Sequence, residues 1–365
     1  MKYIEKLLEG IKVEWATLGD DSFVEIANSG RKPVKGSLRI AGETPYYGAN
    51  NIQDYVEGYT HNGEFVLIAE DGAVNIENYS IQYAVGKFWA NNHVHVIGGK
   101  KGLITRFLFY YLQVVNFIPF LSGGSRAKLT KANLVDIPIP IPPLRVQQEI
   151  VRILDTFTRL IAELTAELTA RKKQYAYYRE QLLTFKEGEV EWKRLGEICI
   201  NISSGKNIKR EENGIYPIYG STGIIGKTNY PTFNYEQILV ARVGTAGYVH
   251  IAQGQYDVSD NALIVQNNNS IILKFLYHLL VDMNLNQFAK GATQPLITAT
   301  QLKALVLPIP PLRVQQKIVR ILDKFDTLTT SISEGLPREI ELRKKQYAYY
   351  REQLLDFPGK KEMNK

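Results

Sequence analysis

Two stretches of the chain carry apolar residues in alternating steps of four and three. The first runs through Ile150, Leu154, Phe157, Ile161, Leu164 and Leu168, passes Arg171, and resumes at Tyr175, Tyr178 and Leu182. Such steps keep one narrow stripe on one side of a helix. Sustained over more than four heptads, the stripe predicts a coiled coil rather than a lone surface helix, whose apolar face is wider. The second stretch starts in the same phase at Ile318, Leu322 and Phe325, puts Thr329 at a seam position, and continues through Ile332 and Leu336. It then takes a second step of four to Ile340 before Arg343, Tyr347, Tyr350 and Leu354, which is a stutter in the heptad. The stutter coincides with Gly335-Leu-Pro337, and proline fits the first turn of a helix but not its interior. A kink or break with a restarted helix is expected there. Each helix has one partner of similar length, the other helix, which predicts an antiparallel pair.

The segments upstream of these helices have a different pattern. Ile137-Pro-Ile-Pro-Ile-Pro-Pro143 and Leu307-Pro-Ile-Pro-Pro311 cannot be helix interiors and read as extended connectors. Before them, alternating β-branched and aromatic residues with Gly and Asn turns predict strands. Phe107–Phe117 and Ile272–Met283 read as the one substantial helix of each variable part. The apolar run Phe107–Leu121 is broken by Gln113, Asn116 and Pro119, so it is expected to be buried in protein rather than to span a bilayer. The fold class is therefore α+β: two globular variable domains separated by a long antiparallel two-helix coiled coil.

The chain is also written twice. IPPLRVQQEIVRILDTF at Ile141–Phe157 recurs as IPPLRVQQKIVRILDKF at Ile309–Phe325, and RKKQYAYYREQLL at Arg171–Leu183 recurs at Arg343–Leu355. The first pair of blocks is offset by 168 residues and the second by 172, so the second arm holds four extra residues. Tyr178–Trp192 resembles Tyr3–Trp15, which predicts that the N-terminal segment docks near Leu354 and closes a pseudo-twofold object. Fainter matches join Thr44–Gly48 to Tyr216–Gly220, Phe65–Gly72 to Gln237–Gly244, and Gly123–Arg126 to Gly291–Gln294. The expected organisation is a first variable domain at 1–140 with a helix remnant at 1–10, a first conserved helix at 141–186, a second variable domain at 187–307, a second conserved helix at 308–357, and a tail at 358–365.

Composition narrows the partners. The 365 residues carry a net charge of +7 and a pI of about 9.1, which favours an anionic partner. The lone Cys199 excludes an internal disulfide and any cysteine metal cluster, and suits a reducing cytoplasm. MKYIEKLLEG lacks the apolar core of a signal peptide. Motifs that imitate catalytic sites fail on spacing. Gly220-Ser-Thr-Gly-Ile-Ile-Gly-Lys-Thr228 resembles a phosphate-binding loop, but Ser221 stands where its first glycine is required and Pro231 follows where a helix should begin. It reads as a tight loop at a sheet edge. Glu191-Trp-Lys193 has no upstream acidic partner of nuclease type, and no NPP- or DPP-aromatic methyltransferase tetrapeptide occurs. His93-Val-His95 places two imidazoles on one face of a strand without a third ligand; the metal reading gives way to surface or base-contacting groups.

The duplicated IP-PL-x-x-Q helices, each after a variable domain, resemble the specificity subunit of type I restriction-modification systems over nearly the whole length. IPPLRVQQ, IVRILDKFDTLT, GLPREIELRKKQYAYYR and the AELTAEL tract at Ala162–Leu168 resemble the type IC subclass. The resemblance implies a cytoplasmic, non-catalytic DNA reader. Each target recognition domain would read one half of a split double-stranded sequence, and the helices would set the spacer and dock two modification subunits. The complex would include two ATP-dependent restriction subunits. No cofactor belongs to this chain; S-adenosylmethionine, ATP and Mg2+ belong to the partners.

Base edges in the major groove are read by polar and charged side chains on loops. The candidates are Asn50, Asn51, Glu70, Asp71, Asn91, Asn92, Arg126 and Lys128 in the first domain. In the second they are Lys206, Ser221, Thr222, Arg242, Thr245, Asp260, Asn261 and Gln294. Glu70 matches Arg242 and Arg126 matches Gln294, so chemistry changes at equivalent loop positions. Arg171, Lys172, Lys173 and Tyr177, with their copies Arg343, Lys344, Lys345 and Tyr349, are candidates for phosphate or partner contact. Two other classes compete: an enzyme with its own methyltransferase or nuclease site, and a coiled-coil scaffold without DNA specificity.

Overall fold

A computed structural model describes residues 7–123, 127–207, 209–291, 295–331 and 333–358. The chain divides into two compact units, one formed by 1–163 with 340–365 and the other by 164–339.

In the first unit the strands are β1 (Glu14–Thr17), β2 (Val24–Ile26), β3 (Ala41–Tyr47), β4 (Ile52–Val56), β5 (His61–Ala69), β6 (Ile81–Ala90), β7 (Val94–Gly99) and β8 (Pro138–Ile141). Six of them form a sheet in the order β2-β7-β5-β6-β3-β4. The β5–β6 hairpin is strongly bent where Gly63 pairs with Gly86, both at positive φ. The bend lets β6 end with Ala90 beside Tyr47 of β3, while only four residues later Val94 pairs with Ala69 at the end of β5. Strand β8 alternates proline and isoleucine and pairs only with β1. Proline lacks the outward donor that a third strand would need, so this ladder stops at two strands.

Helix α1 (Thr105–Leu112) buries Phe107, Leu108, Tyr110, Tyr111 and Leu112 in the core of the first unit. It is shorter than the predicted Phe107–Phe117: the Val114 and Val115 amides bond only three residues back, to the Tyr111 and Leu112 carbonyls, which tightens and ends the helix, and a short 3-10 turn follows at Ile118–Phe120. A one-turn helix, α2 (Lys131–Val135), is capped by the Thr130 hydroxyl. The long helix α3 (Leu144–Leu183) is unbroken over 40 residues.

The second unit repeats the plan with β9 (Glu191–Arg194), β10 (Cys199–Ser204), β11 (Tyr216–Gly220), β12 (Gly223–Thr228), β13 (Gln237–Ala241), β14 (Val249–Ala252), β15 (Asp257–Val258), β16 (Ala262–Asn267) and β17 (Val306–Ile309). A sheet of order β10-β16-β13-β14 lies with a smaller one of order β12-β11-β15, and β17 pairs with β9 as β8 pairs with β1. Its helices are α4 (Leu273–Asp282), close to the predicted Ile272–Met283, and the short α5 (Ala299–Ala304). The conserved helix is interrupted as expected, giving α6 (Leu312–Thr330) and α7 (Gly335–Leu355). Gly335 has φ +79°, and a Cβ there would lie 2.4 Å from the Thr327 carbonyl oxygen. The helix therefore restarts against the end of its predecessor at a position that only glycine fits.

Helices pair in opposite directions within each unit. In the first, Phe157 meets Tyr350 at 5.4 Å between ring centres, while Ile150 and Leu154 share a core with Leu354 and Leu355. In the second, Phe325 stacks on Tyr175 and Tyr178, while Ile318 and Leu322 share a core with Leu183. Thr329 is buried, as a seam position requires. Leu7 and Leu8 pack in the core that contains Leu354, and the Trp15 indole donates to the Pro358 carbonyl at 3.0 Å, so the N-terminal segment docks where its sequence predicts. Residues 1–6, Ile332 and 359–365 lie outside the described residues. No helix among the described residues is long and apolar enough to cross a membrane.

Candidate nucleic-acid interface

In the first unit, the bend of β6 gathers loops from four strand ends. The Asn91 side chain accepts from the His93 amide at 2.8 Å, and the Asn91 amide donates to the Tyr47 carbonyl at 3.2 Å. The Glu70 amide donates to the His93 carbonyl, and the Leu129 amide donates to the Glu70 carbonyl. Asn50 joins the group by donating to the Gly72 carbonyl at 2.8 Å and accepting from the Val74 amide. Asn51 closes the neighbouring turn, its carbonyl accepting from the Gly48 amide. Asn50, Asn51, Glu70, Asp71, Asn91, Asn92 and Lys128 thus lie on adjoining loops. Arg126 lies outside the described residues.

These side chains are not equally available. Asn50, Asn51 and Asn92 are exposed, whereas Asn91 is 3 % exposed and shapes its own loop. The Glu70 carboxylate accepts from Arg31 at 2.7 Å and from the Lys128 ammonium at 3.2 Å. Burial works to raise its pKa, but the Arg31 and Lys128 cations outweigh burial and hold it below the ordinary value. Arg31 also donates to the Val94 carbonyl at 2.8 Å, so it clamps Glu70 to the start of β7. Sequence pattern did not single out Arg31; only the fold brings it 39 positions along the chain to Glu70.

His95 corrects an expectation. It is wholly buried, with Nε2 2.7 Å from the Leu129 carbonyl and Nδ1 2.9 Å from the Asn28 amide nitrogen. These partners suit a neutral ring that donates through Nε2 and accepts at Nδ1. Burial depresses its pKa, and the imidazole is a core strut rather than a surface group. His93 does face solvent and pairs with Asp71 at 2.5 Å.

In the second unit the same backbone frame recurs with different side chains. The Arg242 amide donates to the Asn261 carbonyl, and the Ile297 amide donates to the Arg242 carbonyl. Arg242 therefore occupies the place that Glu70 holds in the first unit, with the opposite charge. Its guanidinium has no ion-pair partner among the described residues. Ser221 and Thr222 form the two-residue tip of the β11–β12 hairpin, as expected of a tight sheet-edge loop rather than a phosphate-binding loop. The Thr245 hydroxyl donates to the Ser221 carbonyl at 2.6 Å and ties that tip to the loop after Arg242. Asp260 is exposed beside Asn261. Lys206 stands one step aside, lining a cleft of about 450 Å3 with Asn207, Lys209, Phe233 and Asp257. Gln294 lies outside the described residues.

On the helices, Lys172, Lys173 and Lys344 are exposed, while Lys345 pairs with Glu341 at 2.6 Å and Arg171 with Glu167 at 3.4 Å. Tyr177 and Tyr349, which fall off the seam, are 59 % and 46 % exposed.

Comparison with known proteins places the arrangement. The model of the type I restriction modification DNA specificity domain matches twice, over residues 12–171 and 187–342. A Haemophilus influenzae protein named as type I restriction enzyme specificity subunit S.HindORF215P is 50 % identical, with 97 % of this chain and 98 % of that protein covered. The EcoR124I/EcoR124II specificity subunit of Escherichia coli is 33 % identical, with 98 % of each chain covered. The fold is that of the S subunit from M. genitalium, at a TM-score of 0.69 and 18 % identity over 96 % of this chain and 97 % of that one. The chain accordingly belongs to the family of type I restriction-modification DNA specificity subunits.

Proposed function

We propose that this chain reads a bipartite DNA target, with the variable domain at 1–140 reading one half and that at 187–307 the other. The observation that carries the reading is the shared backbone frame at Glu70 and Arg242. On this one frame the two copies offer different groups to bases: Arg242 can donate to guanine, whereas the Glu70 carboxylate is taken up by Arg31 and Lys128 and leaves the reading to its neighbours. Asn50, Asn51, Asn92, Thr222, Asp260 and Asn261 are the neighbouring groups offered to base edges. Lys128 and Lys206 suit phosphates, which position the protein without specifying sequence. Glu70, held by two cations, acts by shaping its loop and by presenting Lys128.

The conserved helices, at 141–186 and 308–357, would set the spacer and seat two modification subunits, with Tyr177 and Tyr349 as matched aromatic anchors. Two restriction subunits complete the assembly in the cytoplasm. Methyl transfer and ATP-driven steps belong to those partners, with S-adenosylmethionine, ATP and Mg2+. Substituting Arg242→Ala in the assembled methyltransferase tests the division of labour. One half of the methylated sequence should relax at a single position, by about 1–3 kcal/mol of discrimination, while the other half stays unchanged. Loss of selectivity in both halves together would refute the assignment.

A further inference from the structure

The two units share a joint between the variable domain and its conserved helix, built from residues offset by 168. The glutamine of each Pro-Leu-Arg-Val-Gln block is wholly buried. Gln147 Oε1 accepts from the Ile104 amide, which opens α1, at 2.8 Å, while its Nε2 donates to the Gly102 and Pro142 carbonyls, both at 2.8 Å. Gln315 repeats this with the Ile272 amide at 2.8 Å, the Ser270 carbonyl at 3.3 Å and the Pro310 carbonyl at 2.8 Å. Further along the helix lies a second anchor. Arg106 Nε donates to Asp155 at 2.8 Å, and the Tyr110 hydroxyl donates to the same carboxylate oxygen. In the second unit, Lys274 donates to Asp323 at 2.9 Å and His278 Nε2 lies 3.0 Å from it.

The helix side of the joint is the same in both units, Gln and Asp. The domain side changes from Arg and Tyr to Lys and His, yet keeps two donors one helical turn apart on one carboxylate. Had filling space been the requirement, volume would persist; what persists is hydrogen-bonding function. Two anchors on one helix pair fix its angle as well as its position.

Resting on the bipartite reading above, we propose that Gln147 with Asp155, and Gln315 with Asp323, are positioning residues that set the angle of each variable domain and thereby the spacer the complex accepts. They touch no base, so half-site preference should be independent of them.

The test is to co-express the chain with its modification subunit and map N6-methyladenine in the host genome. The parent should give one split motif with one spacer; a parent without a split motif refutes the bipartite reading itself, and the joint proposal falls with it. With Asp155→Asn or Gln147→Leu, both half-sites should persist, while methylation at spacers one base pair longer or shorter rises at least ten-fold. A merely structural role would lower methylation at every spacer alike. The pair Arg106→Lys with Tyr110→His, which copies the chemistry of the second joint, should retain the single spacer. Should Gln147→Leu fail to assemble, Asp155→Asn decides alone, because the Asp155 side chain is 43 % exposed and its replacement opens no cavity. An assembled Asp155→Asn complex whose spacer selectivity stays within two-fold of the parent overturns the proposal.

Discussion

Arg31 and Glu70 show how a single pair holds a loop in place. Both side chains are less than one-fifth exposed, and Arg31 also bonds the first residue of β7. Arg31→Ala should cost about 2–3 kcal/mol in urea unfolding, because it removes charge-assisted bonds and leaves a carboxylate partly buried. The depressed pKa of Glu70 adds a pH signature. Its contribution is present above the ordinary glutamate range and is lost as pH falls through the folded value. The stability curves of the parent and Glu70→Gln should therefore differ at neutral pH and converge in acid. His250 gives a second test. Burial alone pushes its pKa down to about 4 from 6.5, and neither ring nitrogen has a hydrogen-bond partner among the described residues. The folded state resists protonation that the unfolded chain accepts, so stability should fall as pH drops from 6.5 towards 4. His250→Phe should flatten that limb, measured by unfolding at fixed pH values; an unchanged limb would show that other groups govern it. At this scale the sequence was only partly legible. Glu70 and Arg242 were found by internal comparison, because duplication aligns them. Arg31 and the burial of His95 were invisible, because both depend on partners brought close only by the bent β5–β6 hairpin.

At the scale of elements, patterning predicted most of what formed. The proline alternation was read as an extended connector, and it is extended but also pairs with β1, which the pattern did not foretell; the heptad stutter foretold the helix break at Gly335. The stop of α1 at Leu112 was missed, because a run of apolar residues does not reveal where the backbone tightens into three-residue turns. Gly335→Ala should destabilise by about 1–3 kcal/mol, since it combines a disfavoured positive φ with a collision against the Thr327 carbonyl. An equal midpoint in thermal unfolding would show that the junction rearranges freely. Helix α3 carries a different prediction. Its 40 residues rise roughly 1.5 Å each, about 60 Å in all. Inserting one further AELT unit near Thr165 adds roughly 6 Å and about 40°. The accepted spacer should lengthen by one or two base pairs with both half-sites unchanged. A changed half-site at the old spacer would refute the ruler role of the helix.

For the whole molecule, the net charge of +7 and the exposed lysines at 172, 173 and 344 are proposed to give a sequence-independent hold on DNA. Replacing these three lysines by glutamine should weaken binding of the assembled complex on every sequence and flatten its salt dependence, without changing the motif. Duplication is the feature that made the molecule readable, since it exposes both the invariant helices and the frame on which loop chemistry varies. The DNA sequence itself was not legible, because base readout depends on the docking geometry of loops and not on residue type alone. We propose that this chain confers a split specificity on a partner methyltransferase. The most direct test is single-molecule mapping of N6-methyladenine in a host that expresses the chain with its modification subunit. One motif with two short specific halves around a fixed spacer is the expected result. No methylated motif, with a partner shown to be active beside another specificity subunit, would contradict it and leave a scaffold without DNA specificity.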